Sequence, residues 1–266
     1  MLSEGIAFKE RSPALVASYE QAVRMGHAES HASLAWLLMV QPLHIPSLAV
    51  IHSTLTLPLQ HDVVGITKDV SRAYSLAYAG AQAGCHHCKG ALACCLAHGW
   101  GTSRDIDQAL QLTIASSEQS SKFGNYMLGF FISGLGNIDE AQSIKYGMKA
   151  KREAKLDAFY LSAASDQGLV EGRNELAYHL QHKEASRDRE RAFQLYSEAA
   201  SFGHPGANES VGYFLMRGVG TTMDKVAAAR YLNIAADAGC LGALRLLLEL
   251  GDPSRDVSTD MVRARF

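Results

Sequence analysis

Features that would place a protein in a membrane or secreted class are missing from these 266 residues. A membrane-spanning helix needs roughly 20 apolar residues, whereas the apolar stretch at 34–40 ends just before Pro42. The first 13 residues contain two acids and no apolar core, unlike a secretory or transit peptide. We therefore expect no membrane insertion and a cytoplasmic location.

An excess of positive charge is also missing. Lys and Arg together number 25 and Asp and Glu 27, which leaves a net charge of −2. Nucleic-acid-binding domains usually carry a basic field, so we expect no nucleic-acid partner. The five cysteines are odd in number and unevenly placed, which does not fit a secreted disulfide framework.

Catalytic and nucleotide-binding motifs are missing as well. The glycine-containing loops at 98–105 and 217–224 lack the Gly-Lys-Ser/Thr ending of a phosphate-binding loop, and no predicted strand precedes either of them. No nucleophile elbow frames any serine. We predict a protein that is not an enzyme and uses no cofactor, with both loops serving as helix-to-helix turns that need glycine.

What the chain does contain is an internal repeat. Six segments of the chain end in a similar short sequence, and three of the five separations between successive endings are 35 or 36 residues. The other two are longer by insertions of about 22 and 12 residues. The last residues of the six endings, called anchors here, are Gly26, Gly84, Ser120, Gly168, Gly203 and Gly239. Glycine in the left-handed conformation commonly ends a helix.

Each anchor separates two predicted helices. Small residues four positions after the anchor and aliphatic residues eight and twelve after it trace one apolar stripe, on a helix called helix A. Acids stand fifteen positions before the anchor, where the N-terminus of a second helix, helix B, favours negative charge. These acids are Asp69, Asp105, Glu153, Asp188 and Asp224. Such helix pairs cannot bury their stripes alone and must stack into an α-solenoid.

Residues 207–239 follow the pattern A-x3-LG-x2-Y-x2-G-x-G-x3-D-x3-A-x2-WY-x2-AA-x2-G almost throughout. This pattern resembles the Sel-one-like repeat (SLR), a relative of the tetratricopeptide repeat. The matching residues are Ala207, Gly212, Gly218, Gly220, Asp224, Ala228, Tyr231, Leu232, Ala235, Ala236 and Gly239. The resemblance covers roughly 14–251 and implies a scaffold or adaptor protein.

We predict an all-α, right-handed α-solenoid of about five helix–turn–helix repeats. A single array would span 14–251, after an N-terminal extension at 1–13 and before a mobile tail at 252–266. Insertions fall near 42–67 and 137–155. We expect the first to fold back on the array or contact a partner, and we predict that the second is helical. The segment Leu241–Leu250 would form the last, capping helix.

The predicted function is a non-catalytic adaptor that binds a peptide or protein in a concave groove. In tetratricopeptide-like arrays helix A lines that groove, and this chain has aromatic residues ten after the anchors and polar ones six after. The predicted partner-binding residues are Trp36, Tyr126, Phe130, Asn174, Tyr178, Glu209, Tyr213 and Arg245. Two alternatives stay open: that the rings pack inside the array, and that the chain is a fixed subunit of a larger complex rather than a free adaptor.

The stretch CHHCKGALACC at 85–95 holds four of the five cysteines. Cys88 falls in the small-residue column of helix A, which favours a close helix contact. Cys94 and Cys95 point about 100° apart on a helix and cannot ligate one ion together. The alternative function is a metal- or thiol-dependent assembly factor that uses Cys85, His86, His87 and Cys88.

Overall fold

The computed structural model describes residues 13–39, 68–134, 136–153, 156–182 and 188–251. All regular secondary structure in these ranges is α-helical. None of the described helices is both long and apolar enough to cross a membrane. The insertion at 42–67 and the tail at 252–266 lie outside the described residues, as does nearly all of the N-terminal extension.

The described residues fall into two compact units, divided between Leu176 and Ala177. The N-terminal unit contains α1 (Pro13–Arg24), α2 (Ala28–Met39), α3 (Val70–Gln82), α4 (His86–His98), α5 (Ile106–Ser117), α6 (Lys122–Ser133), α7 (Glu140–Lys145), α8 (Met148–Glu153) and α9 (Asp157–Asp166). Helix α10 (Val170–His182) crosses the division. The C-terminal unit continues with α11 (Arg189–Ser201), α12 (Pro205–Arg217), α13 (Lys225–Asp237) and α14 (Leu241–Leu250). One array over 14–251 stays a prediction.

Each predicted anchor is the turn between a helix B and the following helix A. All six anchors have a positive φ: Gly26 (83°), Gly84 (87°), Ser120 (57°), Gly168 (80°), Gly203 (84°) and Gly239 (88°). The amide of the residue after each anchor also donates to a carbonyl five residues earlier, as from Cys85 to Gly80 O at 3.0 Å. This pair of features is the Schellman ending of a helix. The anchors that define the repeat are therefore confirmed as helix ends.

Aspartates begin four of the predicted B helices. The Oδ1 atoms of Asp69, Asp105 and Asp188 each accept the amide three residues later at 2.9 Å, and Asp224 does the same with Ala227 N. The prediction for Glu153 is wrong: it ends α8, and α9 begins at Asp157 without a side-chain cap. The second insertion shifted the start of that helix away from the repeat register.

The same four aspartates tie each helix B to the helix A before it. Their backbone amides donate to the carbonyls of the aliphatic residues twelve after the anchors, at 2.9–3.2 Å. The four pairs are Asp69 to Leu38, Asp105 to Leu96, Asp188 to Leu180 and Asp224 to Leu215. A backbone hydrogen bond therefore holds the start of each of these B helices against the helix A before it.

The insertion near 137–155 is helical, as predicted, and adds α7 and α8. Asp107 of α5 holds it, because its carboxylate accepts from Lys145 Nζ at 2.8 Å and from the Tyr146 hydroxyl at 2.7 Å. The hydrogen bond from Lys145 is the largest of the effects that lower the pKa of Asp107 to about 2.

The two glycine-containing loops lie at A-to-B turns, as predicted, and bring helix backbones into close contact. Gly218 and Gly220 both have a positive φ, 66° and 61°. A Cβ at Gly220 would overlap the carbonyl oxygen of Arg189 in the first turn of α11, whereas a Cβ at Gly218 would meet its nearest neighbour at 3.6 Å. The second glycine is therefore required by a contact between repeats as well as by its own backbone angle.

Gly220→Ala should lower the free energy of unfolding by more than Gly218→Ala. A left-handed alanine costs about 1–2 kcal/mol at either site, and the overlap with Arg189 adds about 1–3 kcal/mol at Gly220 alone. Urea unfolding of the two variants at 25 °C measures the difference. Equal losses would show that the close approach to α11 adds nothing to stability.

Candidate binding surface

Three of the predicted partner-binding residues are buried in the N-terminal unit. Trp36 is 5% exposed, and Tyr126 and Phe130 are each 8% exposed. The ring centroids of Trp36 and Tyr126 lie 5.7 Å apart at 90°, and those of Tyr126 and Phe130 lie 6.4 Å apart. These rings stabilise the contact between α2 and α6, so little of their surface remains for a partner.

Phe123 completes this cluster and was not predicted. Its ring centroid lies 4.5 Å from that of Trp36, and it is 3% exposed. Phe123 stands three residues after its anchor, Ser120, outside the two rows of positions from which the surface was predicted. The sequence signal that could have identified Phe123 is an aromatic residue in the first turn of a helix A, one turn before Tyr126.

Unusual polar groups accompany the buried rings. Trp36 Nε1 is buried and has no hydrogen-bond partner among the described residues. Glu175 is 8% exposed, and burial raises the pKa of its carboxyl to about 7 even though Asn174 Nδ2 donates to it at 3.4 Å. Burial also raises the pKa of Tyr126, and the charge of Glu175 adds to the effect. The buried carboxyl is costly for the fold whenever it is ionised.

In the C-terminal unit the corresponding residues keep more of their surface. Tyr178, Glu209 and Tyr213 are half-buried, and Arg245 is exposed. Tyr178 packs against His182, with ring centroids 4.3 Å apart. We call these four residues, Tyr178, Glu209, Tyr213 and Arg245, the C-terminal face.

Glu209 joins two helices of this face. It lies one helical turn before Tyr213 on α12, and its carboxylate contacts Gly242 at the start of α14. Burial raises the pKa of Glu209 to about 7, and the nearby Arg245 opposes that rise. The face therefore combines tyrosine rings with one exposed cation and one partly desolvated acid.

The side chains of the cysteine–histidine stretch do not converge as metal ligands among the described residues. The rings of His86 and His87 lie against each other with centroids 4.2 Å apart, and His87 Nδ1 is 3.0 Å from Ser121 Oγ. The Cys88 thiol donates to Ala28 O at 3.3 Å. No three potential ligands among the described residues come together to hold a metal ion. Nothing in this part of the chain supports the metal-dependent alternative.

Glu175→Gln should stabilise the protein at alkaline pH. The folded pKa of about 7 lies above the ordinary value of 4.5, so the stability linked to this carboxyl is full below pH 4.5 and is lost as the pH rises through 7. Glutamine stays neutral, and we expect the variant to gain up to about 3 kcal/mol over the wild type at pH 8 and almost nothing at pH 4.

Urea unfolding between pH 4 and pH 8 measures this effect. Glu190→Gln removes one exposed carboxylate and is the matched control. If the Glu175→Gln gain were the same at both pH values, the buried carboxyl would not be the cause.

Comparison with known proteins identifies the repeat. The family model of the Sel1 repeat matches residues 90–121, 170–204 and 205–240. These matches end one residue after the anchors Ser120, Gly203 and Gly239, so they agree with the phase of the structural repeat. No curated protein matches the sequence.

Among solved structures, the chain is similar to a Sel1 repeat protein from Oxalobacter formigenes. The identity is 20%, the match covers 76% of this chain and 81% of that one, and the TM-score is 0.57. An immunity protein from Pseudomonas aeruginosa is 17% identical over 88% of this chain and 74% of its own, with a TM-score of 0.48. A Sel1 repeat protein from Klebsiella pneumoniae subsp. pneumoniae is 19% identical over 89% and 99%, with a TM-score of 0.44.

The first of these similarities shows the fold, and the family model shows that three of the repeats are Sel1 repeats. The predicted all-α solenoid of Sel-one-like repeats is confirmed. The chain contains three Sel1 repeats, at residues 90–121, 170–204 and 205–240.

Proposed function

We propose that this chain is a non-catalytic adaptor that binds a protein or peptide segment through the C-terminal face. Sel1 repeats mediate protein–protein interaction, which supports the general role. The observation that carries the specific proposal is the difference in exposure between the two units. Tyr178 and Tyr213 keep accessible surface at repeat positions whose counterparts in the N-terminal unit are buried, and Arg245 is exposed.

The chemistry of the face favours a partner with both apolar and acidic groups. Tyrosine offers a large contact area with few rotatable bonds, so its ordering costs little entropy. The exposed guanidinium of Arg245 can bind a carboxylate through two hydrogen bonds. A segment with an aliphatic or aromatic side chain followed by an acid meets both requirements.

The buried residues of the N-terminal unit take a different part in this proposal. Trp36, Tyr126 and Phe130 stiffen the helices that carry them, and a rigid receptor loses little entropy when a partner binds. Asn174 is half-buried, and its Oδ1 has no hydrogen-bond partner among the described residues. Because Oδ1 itself is buried, we propose the accessible part of the Asn174 side chain as the polar contact of that unit.

We place the adaptor in the cytoplasm. All five cysteines lie within the described residues, and all are buried free thiols. Unpaired thiols are the usual state in a reducing compartment. The chain acts there as a free adaptor or as a subunit of a larger complex, and isolation of the partner distinguishes the two.

Tyr178→Ala/Tyr213→Ala should abolish partner capture without unfolding the protein. Each ring at the centre of an interface is worth about 1–2 kcal/mol or more, so the double change should weaken binding at least about thirtyfold. The measurement is quantitative mass spectrometry of proteins that co-purify with the tagged chain, with circular dichroism to confirm helix content.

Tyr78→Ala/Phe159→Ala is the matched control, because these two rings are 46% and 64% exposed at other positions of the array. The control should retain every partner that the wild type binds. If both double variants bind the same proteins as the wild type, the C-terminal face is not the binding site. Arg245→Glu should then also be without effect.

A further inference from the structure

The first turn of α4 places two cysteine thiols together. Cys85 is the N-cap of this helix, and its Sγ accepts the amide of Cys88 at 3.4 Å. Residues three apart at a helix start have Cα atoms about 5 Å apart. A disulfide needs a separation of roughly 4.4–6.8 Å, so the two sulfurs can be linked with little movement of the backbone.

The two thiols are not equivalent. The contact with the Cys88 side chain, together with hydrogen bonds from the amides of Cys88 and His87, lowers the pKa of Cys85 to about 6 despite its burial. The contact with Cys85, together with burial, raises the pKa of Cys88. Cys85 is also 8% exposed, the most of the five cysteines, whereas Cys88 is 0% exposed. This is the arrangement of an attacking thiolate next to a thiol that can resolve a mixed disulfide.

Other repeats show that the fold does not require this pair. The helix A that follows an anchor is capped by Ser121 Oγ in α6 and by His204 Nδ1 in α12. Cys240 occupies the same position before α14, but it makes no side-chain cap, Ala243 stands three residues later, and burial raises its pKa to about 12. Only Cys85 combines the cap position with a second thiol three residues on.

The remaining cysteines have no such arrangement. Cys94 and Cys95 are buried in the middle of α4, and the Cys95 thiol donates to Met39 Sδ at 3.1 Å. Burial raises the pKa of Cys95 to about 12 and raises that of Cys94 as well. These thiols stay protonated and unreactive near neutral pH.

We propose that Cys85 and Cys88 are a reversible thiol–disulfide exchange site, oxidised by low-molecular-weight disulfides. The Cys85 thiolate attacks one sulfur of the disulfide RSSR, which forms a mixed disulfide and releases one thiolate RS⁻. Cys88 then loses its proton to solvent and attacks Cys85 Sγ, which breaks the mixed disulfide and releases the second RS⁻. The two cysteines lose two electrons in total, and RSSR gains them.

Oxidation at this site changes a contact with the preceding repeat. The Cys88 thiol donates to Ala28 O in the first turn of α2, at 3.3 Å. Its sulfur also packs against Gly80 of α3 so closely that a Cβ there would overlap it. A disulfide removes the thiol proton, and the carbonyl of Ala28 loses that donor. The redox state of the pair is thereby coupled to the packing of α2 on α3 and α4.

The test uses the purified full-length chain in its native state, equilibrated in mixtures of oxidised and reduced glutathione. Free thiols are then alkylated in denaturant, and the peptides are identified by mass spectrometry. We expect the peptide with Cys85 and Cys88 to become two hydrogens lighter with a single midpoint, while Cys94, Cys95 and Cys240 stay fully alkylated. Amide exchange at the start of α2 should rise in the oxidised form.

Two variants separate the roles of the thiols. Cys88→Ala, with the small residue found at this position in α12 and α14, should accumulate the mixed disulfide of Cys85 with glutathione. Cys85→Ser, which keeps a capping oxygen as Ser121 does, should form neither product. Cys240→Ser is the matched control and should oxidise like the wild type.

Two results would overturn the proposal. One is that Cys85 stays as free as Cys240 in the most oxidising mixture. The other is that the Cys85–Cys88 disulfide forms only after the chain is unfolded. Circular dichroism of each variant confirms that the comparison is made between folded proteins.

Discussion

The left-handed residue between helix B and helix A is the constraint on which the rest of the structure depends. It allows the amide after each anchor to reach a carbonyl five residues back, which ends one helix and starts the next within a single turn. Glycine takes this conformation at no Cβ cost, and Ser120 takes it at the one anchor that is not glycine. Because the turn is so short, the following helix must lie against the previous one, and small residues at the contact let the backbones approach.

The residue after the anchor has a second structural role, because its side chain can cap the N-terminus of the following helix A. Serine, histidine and cysteine all do so here, at Ser121, His204 and Cys85. A helix N-terminus favours a negatively charged cap, so a cysteine there gains thiolate character that a serine cannot offer. In the proposed exchange reaction, the position that caps a helix in other repeats holds a reactive thiol, because a second thiol, Cys88, follows three residues later.

The same repeat positions differ in exposure between the two units. Trp36, Tyr126 and Phe130 are buried against neighbouring aromatic rings, whereas Tyr178 and Tyr213 keep part of their surface. Burying rings rigidifies a helix contact, and leaving them accessible provides area for a partner. A repeat protein can distribute these roles along its length because each repeat contacts mainly its neighbours.

The sequence by itself determined the elements whose cause is local. The anchors and the four capping aspartates can be predicted because a left-handed glycine and a side-chain cap each depend on a few adjacent residues. The prediction that Glu153 begins a helix is wrong because an inserted helix pair displaced the start of α9. Only the tertiary structure decided which rings are buried and that the carboxyl of Glu175 is desolvated enough to raise its pKa to about 7. Exposure and desolvation depend on side chains that are distant in sequence, so the periodic pattern along one helix predicts neither of them.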